Sequence, residues 1–340
     1  MTLQSNSTQL ETSIILKGRQ SIPDWIKGIA ITLMVYGHVT HVGSASLIQT
    51  KVVDIIYTFH MPLFLIVSGF FLNMSSNIIE ATHKIFRRIF LPYFIFICLY
   101  LVGLILIQQA GIHTNNPPPT SAIGFFRTIL IHPLGGYWFL HSLIVLQLSI
   151  LVSRYLVSRC DLEESSLVFI SFCLIALACK TGLLLTQTAV FFMVGITLRK
   201  FMNEFPASVR TGLLLLIIIV FVGSGGIFTF SLIQMAWVLS IVLLLAGLGA
   251  VFINIVFFSG VVWVGRNSLI IMLLHAMFVV ISKPLAHYFL VADSSGVMYS
   301  ITVTLVTVFG SLLAAKIFDK LNWSRVIFGV DEVFIKWGWL

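Results

Sequence analysis

The sequence predicts an all-α, polytopic helical membrane protein with about ten transmembrane helices and both termini in the cytoplasm. Three observations predict it. Hydrophobic residues make up 59% of the 340-residue chain, charged residues 9%, and mean hydropathy is +1.06, a balance foreign to soluble domains. Apolar runs of about 20 residues recur along the chain, each long enough to cross a hydrocarbon core as a helix. The basic residues fall in alternate connections. With the N terminus inside, the cytoplasmic segments carry Lys17, Arg19, Lys27, Lys84, Arg87, Arg88, Arg154, Arg159, Arg199, Lys200, Arg210, Arg266, Lys316, Lys320, Arg325 and Lys336, which is 16 of the 20 Lys and Arg. Only Lys51, Arg127, Lys180 and Lys283 remain outside, the asymmetry that sets orientation in membranes. The net charge of +8 is thus accounted for without nucleic acid.

Residues 1–22 are a polar cytoplasmic tail with no cleavable signal peptide. The predicted spans cover residues 26–46, 52–72, 89–109, 138–157, 166–179, 183–198, 212–230, 235–257, 267–290 and 297–317. The fifth and sixth are short; they count separately because the charge bias requires an even number of crossings. The membrane domain occupies residues 23–320, and a cytoplasmic tail, 321–340, ends in the amphipathic piece Val333–Leu340, suited to the interface. The longest outer connection, 110–137, holds Asn115-Asn116-Pro117-Pro118-Pro119 and His132-Pro133-Leu134-Gly135-Gly136. Its prolines predict a stiff, extended piece, and its length points to a functional loop. Cys98, Cys160, Cys173 and Cys179 are scattered and read as small apolar side chains.

An ionisable residue inside an apolar span marks a candidate site. Asp24, Lys27 and His38 sit on the first span. Eleven residues turn a helix through about 1100°, so Lys27 and His38 share one stripe, roughly 16 Å apart. Asp24 is one turn from Lys27 and can pair with it. On the second span, Phe59-His60-Met61-Pro62-Leu63-Phe64 precedes Ser68-Gly69-Phe70. Antiparallel packing would put His38 and His60 side by side at similar depth, with Pro62 kinking the helix just past His60. Gly265-Arg266-Asn267-Ser268 leads to His275, a third imidazole roughly 12 Å from the inner edge. Arg87 and Arg88, with Lys27, would form a cytoplasmic pocket for phosphates. Trp138 opens the fourth span, either as a belt anchor or as a platform for a sugar ring. A buried neutral imidazole is a good general base. His41, His113, His132, His141 and His287 read as histidines bonded to a facing helix, and no histidine has metal-ligand spacing.

These residues, in this order, resemble the membrane acyltransferase-3 family. Its opening motif is matched by Asp24, Lys27, Gly28 and His38; its second by residues 59–64 and 68–70; its basic pair before Leu-Pro by Arg87, Arg88, Leu91 and Pro92; its late motif by Gly265–Ser268 and His275. Trp138 matches the Trp that opens the fourth helix. The resemblance implies a multi-pass enzyme of the bacterial inner membrane, moving acetyl from acetyl-CoA, its only co-substrate, to a hydroxyl of a cell-surface glycan: O-antigen (lipopolysaccharide), capsule, exopolysaccharide or a lipid-linked sugar. His38 would be general base or acyl carrier, and His60 would orient it or stabilise charge. Most members carry Arg where this chain has Lys27; Lys occurs in the branch resembling fucose O-acetylases and lacks the bidentate fork. The fused esterase-like domain of many relatives is not seen in this sequence, so the membrane part is expected to act alone. A transporter or flippase is the alternative, but it predicts two related halves and no repeat is visible. A non-catalytic scaffold has no use for the ionisable stripe.

Overall fold

The computed structural model describes residues 21–72, 77–109 and 117–336. Lys17, Arg19, His113, the Asn115-Asn116 pair and the last four residues of the expected amphipathic tail lie outside the described residues. Within them the protein is all-helical, with no strand.

Residues 21–38 form α1. The second span is two helices, α2 (Ser46–Tyr57) and α3 (His60–Phe70), broken at Thr58–Phe59. The third begins earlier than its apolar run: Asn77 caps α4 (Ile78–Ile85), its side chain accepting the amide of Ile79 at 2.9 Å. A π-helical turn at Phe86–Phe90 joins it to α5 (Leu91–Gln109). Pro92 has no amide for Arg88, and just before it the amide of Leu91 reaches back five residues to Phe86. Then follow α6 (Ala122–Leu130), α7 (Tyr137–Arg159), α8 (Glu164–Lys180), α9 (Thr186–Phe201), α10 (Val209–Gly223) and α11 (Leu232–Val251). The chain ends with α12 (Val256–Arg266), α13 (Ser268–Ser282), α14 (Ala286–Ala292), α15 (Val297–Lys320) and α16 (Trp323–Ile327). Among the described residues six helical stretches are long and apolar enough to cross a membrane: Ser46–Phe70, Ile78–Gln109, Tyr137–Arg159, Leu232–Val251, Ser268–Ala292 and Val297–Lys320. α8, α10 and α12 are shorter and apolar.

The structure corrects the expected boundaries in four places. The first helix ends at His38, not 46, because the next segment is held by tertiary bonds: the amides of Ser44 and Ala45 donate to Ser294 O and Ser295 O, at 3.0 and 3.2 Å. The outer loop contains α6, capped by Ser121, whose hydroxyl accepts the amide of Gly124 at 3.0 Å. Its last carbonyls are buried and satisfied, Ile129 O by the Tyr93 hydroxyl and Leu130 O by His141 Nε2 at 2.9 Å. Residues 258–266, expected as a connection, belong to α12. The described part of the tail packs on the bundle instead of lying free. Asp319 accepts the amides of Val333 and Phe334, and Asn267 exchanges two hydrogen bonds with the backbone of Ile335.

The helix ends sort by charge. Pro23, Phe71, Arg199 and Ala250 line one cavity, so the start of α1 meets the ends of α3, α9 and α11. Arg88 and Arg154 share another with Phe71, and Arg266 binds Asp24. We refer to this as the basic end.

Small residues let α3 and α9 approach backbone to backbone. A Cβ on Gly69 would lie 2.1 Å from Phe192 O, and one on Gly195 2.2 Å from Ile66 O. Gly195→Ala is therefore expected to cost about 1–3 kcal/mol by overpacking, seen as a drop of several degrees in the unfolding midpoint in detergent. Gly103→Ala, where no heavy atom lies within 4 Å of the added carbon, is expected to leave the midpoint unchanged or higher.

Candidate functional site

The site is built on the break in the second span. Thr58 O lies four residues before Pro62 and receives no helical amide from it. Gln234 of α11 turns Nε2 toward that carbonyl at 3.5 Å, and Trp237 Nε1 donates to Thr58 Oγ1 at 2.9 Å. The break thus comes before His60, not after it as the sequence suggested. His60 opens α3, and its Nδ1–H donates to Ile56 O at 2.8 Å. A carbonyl only accepts, so neutral His60 keeps its lone pair on Nε2.

His275 of α13 is held the same way. Its Nδ1–H donates to Met272 O at 2.6 Å, and it is 1% exposed. The Gly135-Gly136 turn lies against its other side. Gly135 has a φ of +60°, and a Cβ on Gly136 would come within 2.8 Å of the His275 ring. Tyr137 completes the clasp by donating to Leu273 O at 2.8 Å.

His38 stands between them at the end of α1. Its ring is 5.1 Å from that of His275 and 6.0 Å from that of Tyr57, which is 5.2 Å from His60. The expected side-by-side pair of His38 and His60 therefore has Tyr57 interposed, fixed by its bond to Gly37 O at 2.7 Å. Among the described residues His38 makes no side-chain hydrogen bond. Its exposed surface faces two cavities. One, about 200 Å³, is shared with His60, Trp138, Gln187, Thr188 and Gln234. The other, about 360 Å³, is shared with His275, Tyr100, Thr40 and Lys283. Two rings with fixed tautomers thus flank one that is free to turn. Neutral His60 and His275 accept at Nε2 but do not donate there; His38 can do either. Among the described residues no three His, Cys, Asp or Glu side chains are placed to share a metal ion.

The cations divide differently from the expectation. Lys27 and Asp24 do pair, at 2.7 Å, and Asp24 also binds Arg266 at 3.3 Å. Arg266 further donates to the Ser21 hydroxyl at 3.4 Å. Lys27 is thus committed to a clamp between α1 and α12. It does not line the cavity of Arg88, which is about 260 Å³ and shared with Lys84, Arg154 and Gln147. Arg87 points elsewhere and packs under Gly329.

Trp138 reaches the histidine cavity, so the sequence-predicted His38, His60, His275 and Trp138 converge, and Asp24, Lys27 and Arg266 form a second group. Sequence reasoning missed Thr188 and Gln234. Thr188 Oγ1 and Gln234 Oε1 are buried without a partner in the same cavity. Their signal was a neutral polar side chain in an otherwise apolar run. His41, expected to be bonded to a facing helix, bonds Gln49 and Ser300.

A family profile described as an acyltransferase domain, of the acyltransferase-3 type, matches residues 21–316. No curated protein and no solved structure matches the chain. The chain belongs to the acyltransferase-3 family of membrane acyltransferases, and its apolar helices make it a multi-pass membrane protein.

Asp24, 22% exposed, pairs with two cations. Asp24→Ala is expected to lower stability by about 1 kcal/mol, discounted for solvent screening. Thermal unfolding in detergent at low and high salt checks this: the gap to wild type should narrow as salt rises.

Proposed function

We propose that this protein is an acetyl-CoA-dependent O-acetyltransferase of the bacterial inner membrane, modifying a hydroxyl of a cell-surface glycan. On this reading the chain crosses ten times, with the basic end and both termini in the cytoplasm, in keeping with the charge asymmetry. The observation that carries the proposal is His38: an unbonded imidazole between two cavities, flanked by two imidazoles with fixed tautomers.

In the proposed reaction a His38 nitrogen takes the proton of the acceptor hydroxyl as its oxygen attacks the thioester carbonyl. The C–S bond breaks, and the leaving thiolate recovers the proton from His38. The lone pair on His275, whose ring is 5.1 Å from that of His38, stabilises the transient imidazolium, and His60 adds to this from beyond Tyr57. The general base is preferred to an acyl-imidazole because that flanking arrangement supports a protonated ring.

Coenzyme A is polyanionic, and Lys84, Arg88 and Arg154 line one cavity together. α3 and α7 border both this cavity, through Ser68 and Gln147, and the histidine cavity, through Leu65 and Trp138. The thioester arm is proposed to follow that seam, with the Asp24–Lys27–Arg266 clamp holding α1 in place beside it. Lys27 also supports a likeness to the fucose O-acetylase branch. The broken α2–α3 span favours the transporter or flippase alternative; transfer of label from acetyl-CoA to glycan by purified protein without vesicles would exclude it.

His38→Ala is expected to reduce transfer by about 10²–10⁴-fold at unchanged protein level. Mass spectrometry of surface polysaccharide should then show loss of O-acetyl groups; full acetylation would end the proposal. Arg88→Ala is expected to raise the KM for acetyl-CoA by about tenfold while the acceptor KM stays constant.

A further inference from the structure

We infer that the α9–α11 wall of the cavity shared by His38 and His60 is the acceptor subsite, where Thr188, Gln187 and Gln234 bind hydroxyls of an uncharged sugar ring laid against Trp138. This rests on the acyl-transfer reading above and adds to it the chemical class the cavity takes and the residues that choose it.

Two buried polar atoms here lack partners. Thr188 is 0% exposed and its Oγ1 bonds nothing among the described residues. Gln234 is 7% exposed, and its Oε1 is equally unpaired. Which end of that amide is oxygen follows from Thr58 O: a carbonyl needs a donor, so Nε2 must face it and Oε1 is left to the cavity. Buried polar groups are seldom left unpaired unless a site needs them. A side-chain amide oxygen accepts only, and a threonine hydroxyl does either. Ring hydroxyls, donor and acceptor at once, satisfy both.

The charge of the wall narrows the ligand further. Among the described residues lining this cavity there is no Lys, Arg, Asp or Glu. A phosphate or a uronic acid has no counter-charge there, whereas a neutral hexose or deoxyhexose needs none. Trp138 is half-buried and presents the indole that an apolar sugar face stacks on. Gln187 is exposed at the first turn of α9 and guards the mouth. The cation-lined cavity at the basic end has the opposite character, so donor and acceptor are sorted by charge.

The test uses membranes carrying the full chain, radiolabelled acetyl-CoA, and surface polysaccharide of the source cells stripped of O-acetyl groups by alkali. Thr188→Val keeps shape and removes the hydroxyl. It is expected to raise the acceptor KM by about tenfold, leave the KM for acetyl-CoA unchanged, and be rescued by Thr188→Ser. Gln187→Ala, at an exposed position, should raise the acceptor KM in the same direction and covers the case in which Thr188→Val fails to fold. Unchanged acceptor KM in both variants, or a rise in the acetyl-CoA KM instead, would overturn the subsite while His38→Ala still abolished transfer. Absence of transfer by the wild-type protein, or full transfer by His38→Ala, would overturn the underlying reading and the subsite with it.

Discussion

Pro62 has no amide hydrogen, and much of the site follows from that. In a helix its amide would have closed on Thr58 O. In an apolar surrounding a carbonyl without a donor costs several kcal/mol, so something else must supply one. Gln234 does, from a helix more than 170 residues further along the chain. Trp237, one turn on, secures the Thr58 hydroxyl. The break also lets the His60 ring reach Ile56 O, which the amide of Phe59 shares. One missing hydrogen therefore ties α11 to the second span, fixes a tautomer, and opens the space that His38 faces. A substitution that restored the helix at position 62 would remove the reason for all three.

The charged residues obey a different economy. Asp24 holds two cations, Lys27 and Arg266, and so joins the first helix to α12, with Gly265 close enough that a Cβ there would strike Asp24 O at 1.8 Å. The seam is tight, with one carboxylate shared by two cations across it. Lys84, Arg88 and Arg154 line their cavity with no carboxylate among the lining residues, although Lys84 pairs with Glu80 at 3.3 Å. A cluster of like charges around an open space is tolerated where water or an anion can reach it. The first group suits a structural clamp and the second a docking site, although both lie at the same end and read alike as positive flanks.

What could be read from the chain follows from the range of the forces involved. Apolar runs declare helices locally, and all the expected spans have a helical counterpart. Their ends were less legible. Thr40, Gly43, Ser44 and Ser46 weaken the apolar run past His38 but do not fix the last helical residue; beyond the stop, the amides of Ser44 and Ala45 are held by Ser294 and Ser295 on a distant loop. The three histidines stood out because imidazoles are expensive in lipid. The grouping of cations did not, because sequence alone does not say which of several bases claims Asp24. Thr188 and Gln234 were silent for another reason. Most such side chains in membrane helices bond a carbonyl one turn back, as Ser153 and Thr304 do here, and only the folded structure distinguishes the exceptions.

On the reading proposed above, an acyl donor bearing phosphates and a neutral glycan make incompatible demands on one cavity. Cations that would attract the first would remain buried and unpaired around the second, at a cost that grows as the surroundings become apolar. Two chambers resolve this, provided the reacting atoms still meet. The meeting point must then be a group that is neutral at rest, tolerates burial from both sides, and takes charge only during the reaction. Imidazole meets those conditions; a carboxylate or an ammonium in that position would be charged throughout and would need a permanent partner. His38 has no such partner, while its neighbours His60 and His275 have theirs on the backbone. On that reading the freedom of one ring and the fixity of the other two answer the same requirement, that of carrying this chemistry within a domain of apolar helices.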